Sequence, residues 1–227
     1  MPHRLSPDRL HLLLMLALTF STGVVDAVGY LGLDKVFTGN MTGNVVILGM
    51  AIVGAEDLPV LGPVLALAGF MGGAALGGRV LKRSAPGWTR GTTALLGLVG
   101  AVILALAAVV AVDRSHPVAL TVTTLLGGAM GVQAATARFI AVKDVTTVVV
   151  TSTITGLAAD SVLGAGRGGN SARRVAAVVL ILVGAAAGAA LLRLDLSFGL
   201  LLSGLITVVV AAIGATATRS ASDATAG

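Results

Sequence analysis

Residues Val36 to Ala55 read VFTGNMTGNVVILGMAIVGA, and Val145 to Leu163 read VTTVVVTSTITGLAADSVL. Both open on β-branched, Gly and Asn residues that make poor helix, and both close on residues that make good helix. Each is a hydrophobic segment broken near its start, and the two sit in corresponding places of the two halves of the chain. In membrane transporters, paired interruptions of this kind point to a solute site near the bilayer midplane.

The rest of the chain supplies the membrane setting. Of its 227 residues 56% are hydrophobic and only 11% are charged, and the mean hydropathy is +1.00. A soluble domain of this size needs far more polar surface, so the composition is that of an integral membrane protein. Apolar stretches recur along nearly the whole length. A single membrane domain is therefore expected, with 1–114 its first repeat, 115–216 its second and 217–227 a small, polar, disordered tail. The opening MPHRLSPDRLHLLLMLALTF has the basic-then-apolar order of a signal peptide. No small-residue cleavage site follows and the apolar pattern continues past Asp26, so it reads as the first span. The net charge is +5, but aromatics are only 3% of the chain and no basic patch is interleaved with them. Nucleic acid is not an expected partner; the basic residues read as cytoplasmic flanks of spans. The absence of cysteine excludes disulfides and thiolate metal sites.

Eight apolar stretches can be drawn, roughly 10–32, 36–55, 60–81, 92–112, 117–138, 145–163, 174–192 and 197–216. If all eight cross, seven of the fifteen Lys and Arg residues fall inside, which is no bias. If the two broken segments instead enter and leave on one side, the inside holds Arg4, Arg9, Arg79, Lys82, Arg83, Arg90, Arg138, Lys143, Arg167, Arg173, Arg174 and Arg219. Only Lys35, Arg114 and Arg193 then remain outside. Positive charge in short loops sets orientation, so six spans plus two re-entrant segments is the better topology. Three crossings per half is an odd number, which makes the halves inverted repeats. Thr38 and Thr42 fall opposite Thr147 and Thr151 at a constant offset, as do Val36 and Val145. Gly69, Gly73 and Gly77 in the third stretch have Gly184 and Gly188 in the seventh as counterparts. That glycine spacing reads as close helix packing, internal to the chain rather than a homodimer face.

The strings TGVVDAVGYLGLDKVFTGNMTGNVV, Thr22 to Val46, and GVQAATARFIAVKDVTTVVVTSTITGLAADS, Gly131 to Ser161, resemble the YoaK family. The resemblance covers essentially the whole chain and implies a small bacterial membrane protein of about six spans, with a domain of unknown function. The family pattern has Gln-Asn where this chain has Gln133-Ala134, and Thr-Gly where it has Thr151-Ser152.

Backbone that breaks at membrane depth leaves N–H and C=O groups without helical partners, and it is tolerated only when buried in protein or lining a wet cavity. Asn40, Thr42 and Asn44 can satisfy such groups, and Gly39 and Gly43 allow close approach. A helix starting near Asn44 or Val45 would turn its N-terminal N–H groups and its positive dipole end inward. Thr151 and Thr153 repeat the arrangement in the second half. Two such ends meeting at the midplane favour a polar or anionic solute; the alternative is that these side chains only knit the bundle. Asp26 is a carboxylate inside a span, costly to place there by about 2.5–3.5 kcal/mol, and is a candidate coupling site for a proton or cation. The competing reading pairs it with Lys35. Asp160 and Gln133 are secondary candidates, Asp160 near the cytoplasmic surface and Gln133 in a packing role.

His3, His11 and His116 lie at span ends and form no metal-ligand cluster, and no HExxH or GxSxG motif is present. No catalytic residue, cofactor or metal is expected, and the chain does not read as an enzyme. The expected protein is all-α, with six transmembrane helices, two re-entrant broken segments and inverted three-span halves. Its expected place is the bacterial cytoplasmic (inner) membrane, with both termini cytoplasmic. The function this implies is a secondary transporter or permease for a small polar or anionic solute, proton-coupled through Asp26. The alternatives are a non-transporting protein that assembles with or stabilises a partner, and a simple channel. The lipid bilayer and the solute are the expected partners, and the short chain is compatible with a homodimer.

Overall fold

A computed structural model describes residues 6–55, 58–142, 150–162, 164–166 and 171–226, with side chains to residue 217. Eight helices are present among the described residues: α1 Pro7–Gly32, α2 Met41–Ile52, α3 Leu61–Leu81, α4 Arg90–Val112, α5 His116–Ile140, α6 Val150–Ala159, α7 Ser171–Leu192 and α8 Leu196–Ala226. Six of them, α8 counted as Leu196–Ala217, are long and apolar enough to cross a bilayer. The short helices α2 and α6, at 12 and 10 residues, rise only about 18 and 15 Å and are too short to cross.

Local sequence sets the helix ends. Pro7 and Pro117 occupy first turns of α1 and α5, where a missing N–H removes nothing from the helix. Thr89 and Thr92 form a reciprocal capping box at the start of α4. The stretch 217–227, expected to be disordered, continues α8 as far as Ala226; it carries no Pro or Gly before Gly227, so nothing in it interrupts the helix. Arg4, Lys143, Val145, Thr147 and Arg167, which entered the repeat and charge arguments, and His3 lie outside the described residues.

The glycines fix which helices touch and in what register. A β-carbon at Gly73 would fall on the Gly128 carbonyl, and one at Gly77 would stand 3.0 Å from the Ala135 methyl and 3.5 Å from the Val132 carbonyl. In the other half, a β-carbon at Gly184 would fall on the Phe20 carbonyl. One at Gly188 would stand 2.6 Å from the Val24 carbonyl and 3.2 Å from the Ala27 methyl. Gly23 in α1 meets Ile181 and Ala185 as Gly131 in α5 meets Phe70 and Ala74. Thus α3 lies on α5 as α7 lies on α1, both pairs parallel, with the backbones close enough that only glycine fits. The expectation of internal glycine packing holds, but the partner is a helix of the opposite half.

The remaining contacts follow the same exchange. Helix α8 crosses α1 antiparallel, through Gly199 on Val28 and a Ser21, Ser203 and Thr207 hydroxyl cluster in which Ser21 and Ser203 are 2.7 Å apart. Helix α4 crosses α5 antiparallel after a short connection, and α4 and α8 pack together through Gly100 on Val208 and Gly204 on Leu104. It follows that α1, α4 and α7 run one way and α3, α5 and α8 the other. The apolar core, with Val25, Val28, Leu126, Met130, Ile103 and Leu200, fills the space between α1, α4, α5 and α8. Helices α3 and α7 keep much of their surface on the outside.

Candidate functional site

The site is built where the chain folds back on α1. After Gly32 the backbone turns through Asp34 and Lys35, both in the left-handed region at φ 64° and 57°, a conformation that L-residues adopt at some cost. Residues 36–40 then run back along the helix. Gly29 makes this possible, because a β-carbon there would stand 2.6 Å from the Val36 carbonyl and 3.0 Å from the Thr38 methyl. The returning strand would otherwise leave its N–H groups unpaired at membrane depth. Asp26 takes them: its Oδ1 accepts the backbone N–H groups of Gly39 at 2.7 Å, Thr38 at 3.0 Å and Asn40 at 3.3 Å. Lys35 is therefore not its partner.

Two asparagines complete the turn into α2. The Asn44 amide clamps Phe37, accepting its N–H at 2.9 Å and donating to its carbonyl at 2.6 Å, and Asn44 is only 1% exposed. Asn40 is the N-cap, its Oδ1 accepting the Gly43 N–H at 3.2 Å. Helix α2 accordingly begins at Met41, ahead of the Asn44 or Val45 expected from sequence. The cap bond from Asn40 to Gly43 starts the helix inside the stretch that local propensity reads as broken.

A cavity of about 560 Å³ opens beside this turn. Thr22, Asp26 and Tyr30 of α1, Asn40 and Thr42 at the start of α2, and Val150 and Thr151 at the start of α6 line it, with Phe37 and Ile181 closing the apolar side. Tyr30 stacks on Phe37 with ring centroids 4.8 Å apart. Asp26, Asn40, Thr42 and Thr151 are thus brought together on one wall. Asn44 stands behind that wall with its amide engaged, and Thr153, 9% exposed, is not among the lining residues. The Asp26 Oδ2 meets no backbone N–H and no cationic side chain among the described residues, and no lysine, arginine or histidine is among the described residues that line the cavity.

The secondary candidates hold the frame. Gln133, 1% exposed, donates from Nε2 to the Thr22 hydroxyl at 3.1 Å, and that hydroxyl donates to the Leu18 carbonyl at 2.9 Å. Gln133 therefore positions a cavity residue rather than lining the cavity. Asp160 pairs with Arg174 at 2.7 Å, and Arg174 also donates to the Gly156 carbonyl at 2.7 Å, fastening the end of α6 to α7. Away from the site, Asp195 accepts the backbone N–H of Ser197 at 2.8 Å and its hydroxyl at 2.7 Å, and pairs with Arg114. These partners, Ser197 first, hold its carboxyl down at about 2.

Thr22 and Tyr30 are the lining residues that sequence reading missed. The signal was present: both lie one helical turn from Asp26, before and after it, on one face of α1. A second cavity of about 730 Å³ lies between α3 and α5. In the register fixed by the glycines, Ala134 there stands in the place of Asp26, Arg138 in that of Tyr30 and Phe70 in that of Ile181. The counterpart cavity is therefore lined by Lys82 and Arg138 and carries no carboxylate among its described lining residues.

Comparison with known proteins places this architecture. Over 148 residues the chain is 33% identical to the UPF0700 transmembrane protein YoaK of Bacillus subtilis (strain 168), a match that spans 65% of this chain and 65% of the length of that relative. No solved structure matches the chain. Residues 14–213, from the buried part of α1 through nearly all of the apolar part of α8, match the family described as Protein of unknown function (DUF1275), and to that family of membrane proteins the chain belongs.

Proposed function

We propose that this protein is a secondary transporter or permease for a small polar solute, working through the cavity between α1, α2, α6 and α7. The observation that carries the reading is that both short helices begin on the wall of one cavity that also holds an intramembrane carboxylate. The opposed directions of α1 and α3, and of α5 and α7, support two re-entrant segments, and the exchange of contacts between halves supports an inverted repeat. The basic residues at the ends of α3 and α5 and the start of α7 support an orientation with those ends, and both termini, on the cytoplasmic side of the bacterial inner membrane. No catalytic step, cofactor or metal belongs to this reading.

Two converging helix N-termini argue for an anion, but the turn that leads into the first already carries a carboxylate. Asp26 spends three N–H groups of the turn on the chain's own carboxylate. The solute is therefore polar rather than anionic. Asp26 is also placed for coupling, since protonating it converts charge-assisted bonds into neutral ones of about half the strength and loosens the grip on residues 38–40. Among the described lining residues only Asp26 and Tyr30 are ionisable.

The test joins topology to binding. Single cysteines replacing Ser84 and Ala165 should label from one face, and those replacing Ala55 and Ser115 from the other. Solutes that raise the melting temperature of the purified protein should then be taken up saturably by proteoliposomes. Labelling of Ser84 and Ala165 from opposite faces would remove the inverted repeat. Non-saturable flux would favour a channel. Failure of every polar solute class to stabilise the protein or to move would leave the partner-assembly role in its place.

A further inference from the structure

We infer that the solute accepted by the Asp26 cavity carries a positive charge, as a small organic ammonium compound does; this deepens the transporter reading and rests on it. Four observations converge. The carboxylate of Asp26 lines the cavity, and its Oδ2 meets no backbone N–H and no cationic side chain among the described residues, while Oδ1 is saturated by three backbone N–H groups. No basic side chain is among the described lining residues to neutralise it. Tyr30 and Phe37, stacked at 4.8 Å between centroids, bring aromatic rings to the lining of the same cavity, and aromatic faces attract ammonium groups. Finally, the backbone N–H groups of the turn that leads into α2, which an anion would otherwise meet, are already taken by the chain's own carboxylate.

The counterpart cavity makes the contrast internal to the molecule. There the place of Asp26 is taken by Ala134 and that of Tyr30 by Arg138, with Lys82 alongside. Negative charge at the Asp26 cavity is therefore a feature of this site and not of the fold. A cavity of about 560 Å³ holds a solute of small-metabolite size, with Thr42, Thr151 and the amide NH2 of Asn40 placed to hydrogen-bond its polar groups.

The experiment uses the full-length protein in detergent, measuring binding by calorimetry and by thermal shift. The probes are methylammonium through tetraethylammonium, neutral alcohols of matching shape, and acetate and phosphate as anions. Ammonium probes should bind saturably, with the alcohols at least tenfold weaker and the anions not at all. Asp26→Asn should weaken the ammonium probes by about ten- to hundredfold, the scale of a hydrogen-bonded charged contact, and should weaken the alcohols far less, so that the preference for ammonium over alcohol is lost. Tyr30→Leu should weaken them by about three- to tenfold through the lost ring face. Equal binding of ammonium and alcohol probes, or binding indifferent to Asp26→Asn, overturns the inference while leaving a polar-solute transporter standing. Saturable binding of acetate or phosphate alone overturns it in favour of an anion. If no probe binds and no polar solute is transported, both this inference and the transporter reading fall.

Discussion

Replacing Asp26 by Ala and by Asn separates the two tasks its carboxylate performs. Oδ1 holds three N–H groups of the turn, at 2.7, 3.0 and 3.3 Å. In Asp26→Ala all three lose their acceptor. Leaving a buried donor unpaired costs about 1–3 kcal/mol each, and water entering from the cavity offsets part of that, so a loss of about 3–5 kcal/mol is expected. Asp26→Asn keeps an oxygen where Oδ1 stood. Neutral bonds are about half as strong as charge-assisted ones, so about 1–2 kcal/mol should be lost and the turn should survive. Thermal unfolding in one detergent, at one pH and protein concentration, should rank wild type above Asn and Asn well above Ala. An Asn variant as unstable as the Ala variant would mean that the negative charge itself holds the fold. An Ala variant as stable as wild type would mean that the three N–H groups do not depend on Asp26. Either result refutes the reasoning.

Asn44→Ala breaks both bonds to Phe37 and should cost about 2–4 kcal/mol, whereas Asn40→Ala removes one helix cap and should cost about 1 kcal/mol; melting temperatures of the pair check the order. Gly73→Ala and Gly184→Ala should each destabilise by several kcal/mol, on the order of an overpacked core, because the added methyl meets the Gly128 or the Phe20 carbonyl. Gly72→Ala, with nothing within 4 Å of its β-carbon, should be neutral or stabilising by up to about 1 kcal/mol. Asp195 has its carboxyl lowered to about 2 by Ser197 and Arg114. A depressed folded value stabilises above the unfolded one and is lost as pH falls through the folded one. The melting-temperature gap between wild type and Asp195→Asn should therefore be present above about pH 4 and should close toward pH 2.

The six long helices were legible because length and hydropathy alone decide them, and charge placement ordered the same six from the loops. The two short helices were legible as interruptions, but their starts were not. At α2 the Asn40-to-Gly43 cap bond outweighs the poor propensities of Thr42 and Gly43, and helix begins three residues before Asn44. Asp26 was singled out because a carboxylate inside a span is costly, yet its partners were invisible: Lys35 is near in sequence, while the N–H groups of 38–40 come near only once Gly29 lets the chain fold back. Gly69, Gly73 and Gly77 announced close packing, but small residues do not name a partner. That the partner is α5, from the other half, is a property of the assembled bundle. Thr22 and Tyr30 lay on the Asp26 face of α1 throughout, and a search for polar residues at one-turn spacing would have found both.

The α1–α7 and α5–α3 pairs pack in one register and differ in chemistry, and the difference bears on the proposed mechanism. A carboxylate at Asp26 and an alanine at Ala134 occupy equivalent places in the two glycine-packed helix pairs, and beside the first of them the turn is held by a titratable group. Oδ1 grips residues 38–40 while Oδ2 is left to the cavity. Any cation or proton that engages Oδ2 draws electron density from the same carboxylate that holds the turn, and a proton and a cation cannot occupy it together. In the proposed transporter, binding, coupling and the grip on residues 38–40 then share a single group. Asp26→Asn should consequently abolish solute selectivity and pH-dependent transport at once, in a protein that still folds. Thr42→Val and Thr151→Val touch the cavity without touching the clamp; they should weaken solute binding by about tenfold at most, the scale of one hydrogen bond, and leave the pH dependence of transport as it was. If the pH dependence moved with the threonines instead, the coupling group would have to be sought away from Asp26.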